Sequence, residues 1–200
     1  MIRLIVCDLD ETLLDRDKNV SAGNRAAIRA FEASGGLFVP CTGRIYTSLE
    51  RTLRQLDALG KAGHYVISTN GALISENSGK VCCAKGVPAD KVQALIAYAR
   101  SHGMGVEVFA EDGTLYHEAL DERELRDLPL FVDDPLPLPE DVSFLKDIGV
   151  AKMLYERWDM PYLKQFAEQM DPSLKEGLEI SFSSDRYIEI NAAGVNKGEG

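Results

Sequence analysis

Two aspartates separated by a single residue, Asp8 and Asp10, close an almost unbroken apolar run that begins at Ile2. On an extended chain, residues two apart point the same way, so both carboxylates are expected to share one small volume. Such a pair repels unless a cation joins it. Mg2+ takes oxygen ligands from one or two carboxylates and from substrate phosphate, which makes Asp8 and Asp10 the candidate metal ligands. A second cluster, Cys41-Thr42-Gly43-Arg44, follows the next apolar run. A hydroxyl, a glycine that admits close backbone N–H groups and a following helix N-terminus can bind an anion, although Thr-Gly after a strand also serves as a plain turn. A third cluster, Asn191 to Gly200, reads as a strand end opening into a helix with Lys197 in its first turn. Lysine is unfavourable against the helix dipole there, and an anionic ligand would justify it; a solvated lysine is the alternative. Asn70-Gly71 offers a further substrate contact or a simple turn.

The elements that must position these groups are legible in the hydrophobic pattern. Ile2–Leu9, Leu37–Cys41 and Tyr65–Ser68 read as strands, and the continuous first run predicts a strand buried on both faces of a parallel sheet. Ser21 opens a helix closed by Gly35-Gly36, and Ile45–Leu59 carries Leu49, Leu53, Leu56 and Leu59 at helical spacing. Strand and helix alternating through short loops predict a doubly wound α/β core, whose ligands bind at the carboxyl ends of the strands. Beyond about residue 80 the texture changes. A helix over 89–102, a hairpin around Asp112-Gly113, a Pro-rich connection over 128–139, a strand over 150–155, a helix over 161–170 and a hairpin over 178–190 predict an α+β unit. The expected division is a core of 1–80 and 186–200 with an inserted domain of 81–185.

Composition narrows the function classes. The chain of 200 residues carries 22 Lys and Arg against 32 Asp and Glu, a formal charge of -10 that argues against nucleic acid as a partner. No run reaches the roughly 20 apolar residues of a membrane span, and the start lacks the pattern of a signal peptide. Four cysteines at 7, 41, 82 and 83 form no CxxC pair, and only three histidines accompany them, which argues against zinc. A reduced, cytoplasmic protein without a membrane is expected.

Taken together, DLDETLL at 8–14, CTGR at 41–44, STNGAL at 68–73 and GVNKGEG at 194–200 resemble the haloacid dehalogenase-like hydrolase superfamily, and within it the Cof-type phosphatases. The resemblance implies a Rossmann-like parallel-sheet core with an inserted α+β cap. It also implies a Mg2+-dependent phosphatase acting on a small phosphorylated metabolite, a sugar phosphate or similar, through an aspartyl phosphate. By the same resemblance Asp8 is the nucleophile, and Asp10 is general acid and then general base. Thr42, Gly43 and the Leu9 amide hold phosphate oxygens, and Lys197 neutralises charge. Arg44 and Asn70 join the substrate-binding group, Arg44 with an outward salt bridge as the competing use. Tyr116, His117, Trp158 and Tyr187 are the cap positions from which substrate choice is expected, with packing as the competing use.

Two departures stand out. Glu11 occupies a position that is often glycine in this family. The family's acidic Gly-Asp loop is not found before Gly200, which leads to the expectation that these residues are part of a chain of roughly 260–280 residues. A sugar phosphomutase or phosphotransferase, a phospho-acceptor domain and a non-catalytic phospho-ligand binder are the alternatives, the long insertion speaking against a compact phospho-acceptor.

Overall fold

The computed structural model describes residues 2–132 and 134–200, which divide into two compact units. The first runs through Ala84 and resumes at Asn196–Gly200; the second is Lys85–Val195.

In the first unit, β1 (Leu4–Asp8), α1 (Ala22–Ala33), β2 (Leu37–Cys41), α2 (Glu50–Gln55), β3 (Tyr65–Ser68), β4 (Leu73–Glu76) and β5 (Val81–Ala84) build one sheet in the order β1-β2-β3-β4-β5. β1, β2 and β3 run parallel, whereas β3/β4 and β4/β5 are antiparallel. Ser21 caps α1 by accepting the Asn24 N–H at 3.1 Å, as a serine before a helical run should. The predicted helix over 45–59 is shorter. A tight turn at Tyr46–Leu49 leads into α2, and Asp57, at φ 53°, ends it. Its leucine stripe survives, with Leu49, Leu53 and Leu56 packed in one cluster with Leu9, Leu13, Ile28 and Phe38.

Two expectations need correction here. Among the described residues β1 pairs with β2, and Leu4 is 53% exposed where the continuous apolar run predicts a strand buried on both faces. The expected boundaries also move. β5 joins the first unit by pairing with β4, which places residues 81–84 there. Residues 186–195 go with the second unit, because the strand over 187–192 pairs on both sides within that unit's sheet.

The second unit contains α3 (Ala89–Ser101), β6 (Gly105–Ala110), β7 (Leu115–Glu118), α4 (Glu122–Asp127), β8 (Leu136–Pro137), α5 (Leu145–Ile148), β9 (Val150–Glu156), α6 (Met160–Gln169), α7 (Pro172–Lys175), β10 (Leu178–Ser183) and β11 (Tyr187–Ala192). Its sheet follows the order β10-β11-β9-β6-β7-β8. Alternation along the strands separates two faces. Val106, Val108, Met153, Tyr155, Ile188 and Ile190 pack with Leu95, Ile96, Leu163 and Phe166 of α3 and α6. The opposite face carries Glu107, Lys152, Glu156, Tyr187 and Glu189. The Pro-rich 128–139 stretch, expected as a connection, contributes the short parallel strand β8. No helix of the described residues is long and apolar enough to cross a membrane.

That second face holds a buried charged group. Glu124 is fully covered and accepts from Arg186 Nε at 2.7 Å and from the Tyr187 hydroxyl. Glu107 Oε1 and Glu156 Oε1 are buried without a hydrogen-bond partner among the described residues. Burial, reinforced by the carboxylates of Glu124 and Glu156 against the pull of Lys152 and Arg186, pushes the Glu107 carboxyl up to about 8. The unfolded chain loses that proton near about pH 4.3. Between those two values the folded state binds one proton more, so stability falls as pH rises through the window and levels above it. Denaturant midpoints measured from about pH 5 to about pH 9 should therefore decline in the wild type, and Glu107→Gln should flatten the decline. Equal slopes in both proteins would remove Glu107 as the source.

Candidate active site

The site is built where β1 and β2 end side by side. Their register pairs Asp8 with Cys41, which puts Thr42 directly beyond the Asp8 strand end. Immediately after Asp8 the chain leaves extended geometry. Leu9–Leu13 makes one wide turn, closed by the Leu14 N–H on the Leu9 carbonyl at 2.9 Å. Asp8 and Asp10 therefore do not share one face of a straight strand, as the spacing predicted. The turn is fixed from below, because Leu9 and Leu13 are buried in the core. It is strained at its top, where Glu11 sits at φ 58°, ψ 10°, a conformation that disfavours any residue with a Cβ. This is the physical reason that glycine suits the position.

Each aspartate has acquired its own cation. Lys197 Nζ donates to Asp8 Oδ1 at 2.7 Å. Asp8 Oδ2 has one long contact, from the Thr12 hydroxyl at 3.5 Å, and is the more open carboxylate oxygen. Asp10 is gripped instead by Arg44, through Nε to Oδ2 at 2.8 Å and Nη2 to Oδ1 at 2.5 Å. Lys18 Nζ adds a third bond, to Asp10 Oδ1 at 2.8 Å. Partial burial raises the Asp10 carboxyl, but the bonds from Arg44 and Lys18 prevail and hold it below the usual carboxylate range. Two carboxylates thus face three cations, a local positive excess within an acidic chain.

The supports come from loops that follow β2 and β3. Thr42 is buried; its N–H donates to the Ile67 carbonyl at 2.9 Å and its hydroxyl oxygen accepts the Arg44 N–H at 3.2 Å. The Asn70 N–H donates to the Thr42 carbonyl at 3.0 Å, and the Thr69 N–H to the Arg44 carbonyl at 2.8 Å. These bonds tie the residues 42–44 to 69–70, so Thr42, Gly43, Arg44 and Asn70 form one loop cluster. Asn196 accepts the N–H groups of Gly198 and Glu199 on Oδ1, opening the turn that carries Lys197. Cys41 Sγ, a thiol whose ionisation burial opposes, donates to the Lys197 carbonyl at 3.7 Å.

Asp8 with Lys197, and Asp10 with Arg44, therefore form two separate ion pairs within the first unit, and Thr42, Gly43 and Asn70 are brought to the same strand ends by register and backbone bonds. The outward salt bridge weighed for Arg44 is replaced by an inward one, its side chain being only 15% exposed. The metal reading fits Asp8, a hard oxygen donor with an open Oδ2. It fits the Asp10 side chain less well in this arrangement, since Arg44 and Lys18 bond to both of its oxygens and two cations already face it. Among the described residues no three His, Cys, Asp or Glu side chains gather as a metal cluster. Lys18 was missed. Its signal was the turn sequence Asp15-Arg16-Asp17-Lys18-Asn19 directly after the first motif. Of the four second-unit positions, Tyr116 packs on Phe144, Trp158 lies under Arg123 and Arg186, and Tyr187 binds Glu124. His117 is half-buried, and burial lowers its proton affinity.

A family model described as haloacid dehalogenase-like hydrolase matches residues 5–200. The Bacillus subtilis (strain 168) protein YxeH is 40% identical over 201 residues, covering 99% of this chain and 73% of its own. From the same organism, 5-amino-6-(5-phospho-D-ribitylamino)uracil phosphatase YwtE is 27% identical over 220 residues, covering 98% of this chain and 74% of its own. A crystal structure of a haloacid dehalogenase-like hydrolase from Bacteroides thetaiotaomicron superposes with a TM-score of 0.82 at 22% identity, over 98% of this chain and 73% of that one, and so shares the fold.

Two substitutions test the site's construction. Glu11→Gly should raise the midpoint of thermal unfolding, by relief of strain worth up to about 1 kcal/mol. A lower midpoint would show that the turn is not strained. Gly71, at φ 98°, leaves no room for a Cβ, which would stand 2.5 Å from the Asn196 carbonyl oxygen. Gly71→Ala should cost more than about 1 kcal/mol and displace the Lys197 turn, read as a changed Lys197 environment by NMR.

Proposed function

The chain belongs to the haloacid dehalogenase-like hydrolases, and from that premise we propose that it hydrolyses a small phosphorylated metabolite, a sugar phosphate or similar, through an aspartyl phosphate on Asp8. It is a phosphoric monoester hydrolase. The observation that carries the reading is the pair of separately neutralised aspartates, Asp8 on Lys197 and Asp10 on Arg44 and Lys18. Solvated loop acids would have no need of dedicated partners.

In the first half of the reaction the Asp8 carboxylate attacks phosphorus, and the ester bond to the leaving oxygen breaks. Asp10 supplies the proton that the leaving oxygen takes up. The nearby phosphoryl charge favours protonation of Asp10, against the lowering by its cations. In the second half a water oxygen attacks phosphorus, its proton passes to Asp10, and the bond to Asp8 breaks to release phosphate and a free carboxylate. The ionised state that Arg44 and Lys18 favour suits Asp10 as base here. Lys197 offsets the charge that accumulates on Asp8 and the phosphoryl oxygens, and Thr42 with the Gly43 amide supplies donors beside them. Mg2+, held on the Asp8 carboxylate, would polarise the phosphoryl group and neutralise its charge. The second unit is the proposed cap, and the name of YwtE supports a phosphorylated polyol among the substrate types.

The test is turnover of an aryl phosphate. Asp8→Asn should lose about 10⁴-fold or more in kcat, and chelation of Mg2+ with EDTA should abolish release until Mg2+ is restored. Phosphate release by Asp8→Asn at the wild-type rate would overturn the assignment.

A further inference from the structure

Lys18 is an odd residue for its place. It lies in the turn bounded by the Leu14–Val20 bridge, at φ 60°, where glycine or asparagine would be unstrained. The turn around it is tightly built. Asp15 Oδ1 accepts the N–H groups of Asp17 and Asn19, both at 2.9 Å, and the Asp15 carbonyl accepts the Lys18 N–H at 3.0 Å. The turn is then bolted to α2. Gln55 Oε1 accepts the Val20 N–H at 2.7 Å, and Asn19 Oδ1 accepts from Gln55 Nε2 at 3.0 Å and Arg51 Nη2 at 2.8 Å. All of this aims one ammonium at Asp10 Oδ1. With Lys18 41% exposed and Asp10 38% exposed, the ion pair returns little stability for the strain it requires. Here the strained turn coincides with a charged bond to a site carboxylate, and it is that contact which calls for an explanation.

The bond changes what Asp10 can do. Oδ1 takes two charged donors, Lys18 Nζ and Arg44 Nη2, which fill its lone pairs. Among the described residues Oδ2 takes one donor, Arg44 Nε, which leaves it one lone pair. We infer that Lys18 is a positioning residue for the hydrolytic reaction: it locks Asp10 Oδ1 so that proton transfer runs through Oδ2. The inference rests on the function proposed above. Arg44 alone, bound through two nitrogens, fixes the plane of the carboxylate but leaves a lone pair on each oxygen; Lys18 makes the carboxylate one-sided.

The test uses Lys18→Asn, which relieves the backbone strain and removes the ammonium, with Lys18→Arg as the conservative variant. On an aryl phosphate, Lys18→Asn should lower kcat about 10-fold with KM within about twofold, while its thermal midpoint equals or exceeds that of the wild type. Lys18→Arg should recover most of the loss. In an Asp10→Asn background, Lys18→Asn should have no further effect, because the residue acts through Asp10. A rise in KM with kcat intact would make Lys18 a direct phosphate contact and overturn the inference, as would losses that multiply in the double variant. A second readout needs no turnover: the Asp10 carboxyl ¹³C resonance, assigned by its loss in Asp10→Asn, should be single in the wild type and shift or broaden in Lys18→Asn. An unchanged resonance would overturn the positioning role. An inactive wild-type chain with the expected resonance change would instead overturn the hydrolase reading and leave the contact standing.

Discussion

The site depends on holding two acidic side chains, two residues apart in the chain, at one strand end. Coulomb repulsion opposes this, and the fold resolves it by giving each acid a separate counter-charge from a distant stretch of chain. The Asp8–Lys197 pair spans 189 residues and the Asp10–Arg44 pair spans 34. Exposed ion pairs are too weak to order segments over such distances. The ordering comes from the parallel register of β1 and β2, from the bonds that join 42–44 to 69–70, and from the cleared space at Gly71 that admits Asn196. The sheet brings the charges together, and the charges then set the chemistry.

Positioning of this kind leaves a trace in the backbone. Glu11, Lys18, Thr69 and Asn70 all adopt positive φ without being glycine, and all lie in the segments that follow β1 and β3. Each costs of order 1–2 kcal/mol relative to relaxed geometry. Such residues persist only where their neighbours overdetermine them, here through the buried Leu9 and Leu13 beneath Glu11 and the Asp15 carboxylate beneath Lys18. Other non-glycine residues at positive φ, such as Asp57 and Ala119, lie in turns that carry no site residue, so the strain at Glu11 and Lys18 has meaning only together with the contacts those turns aim.

The second unit handles charge differently. On its polar sheet face, Glu124 is neutralised by Arg186 and the Tyr187 hydroxyl, whereas Glu107 responds to burial by holding its proton. Burial of an unpaired carboxylate is more costly than burial of the neutral acid, so protonation is the lower-energy solution. The same residue type is thus a counter-ion at one position and a neutral acid at another, according to which cation reaches it.

Much of the first unit's candidate site was legible in the sequence as short segments whose order is itself informative. Asp8-Leu9-Asp10 and Thr42-Gly43-Arg44 each end an apolar run, and a parallel sheet brings such ends to one side. The hairpins and the helices over 22–33, 89–101 and 160–169 were likewise written in local periodicity and caps. What escaped the sequence was decided by pairing across the fold. No periodicity says that β4 and β5 turn back antiparallel, or that residues 81–84 pair with β4 in the first unit's sheet. Nor does spacing reveal that the chain curls after Asp8, which sends Asp10 to Arg44 and Lys18 instead of along a straight strand. Sequence determines which groups a segment can offer. Which partner each group meets depends on non-local register and on turns held by buried side chains, and only the assembled tertiary structure supplies those.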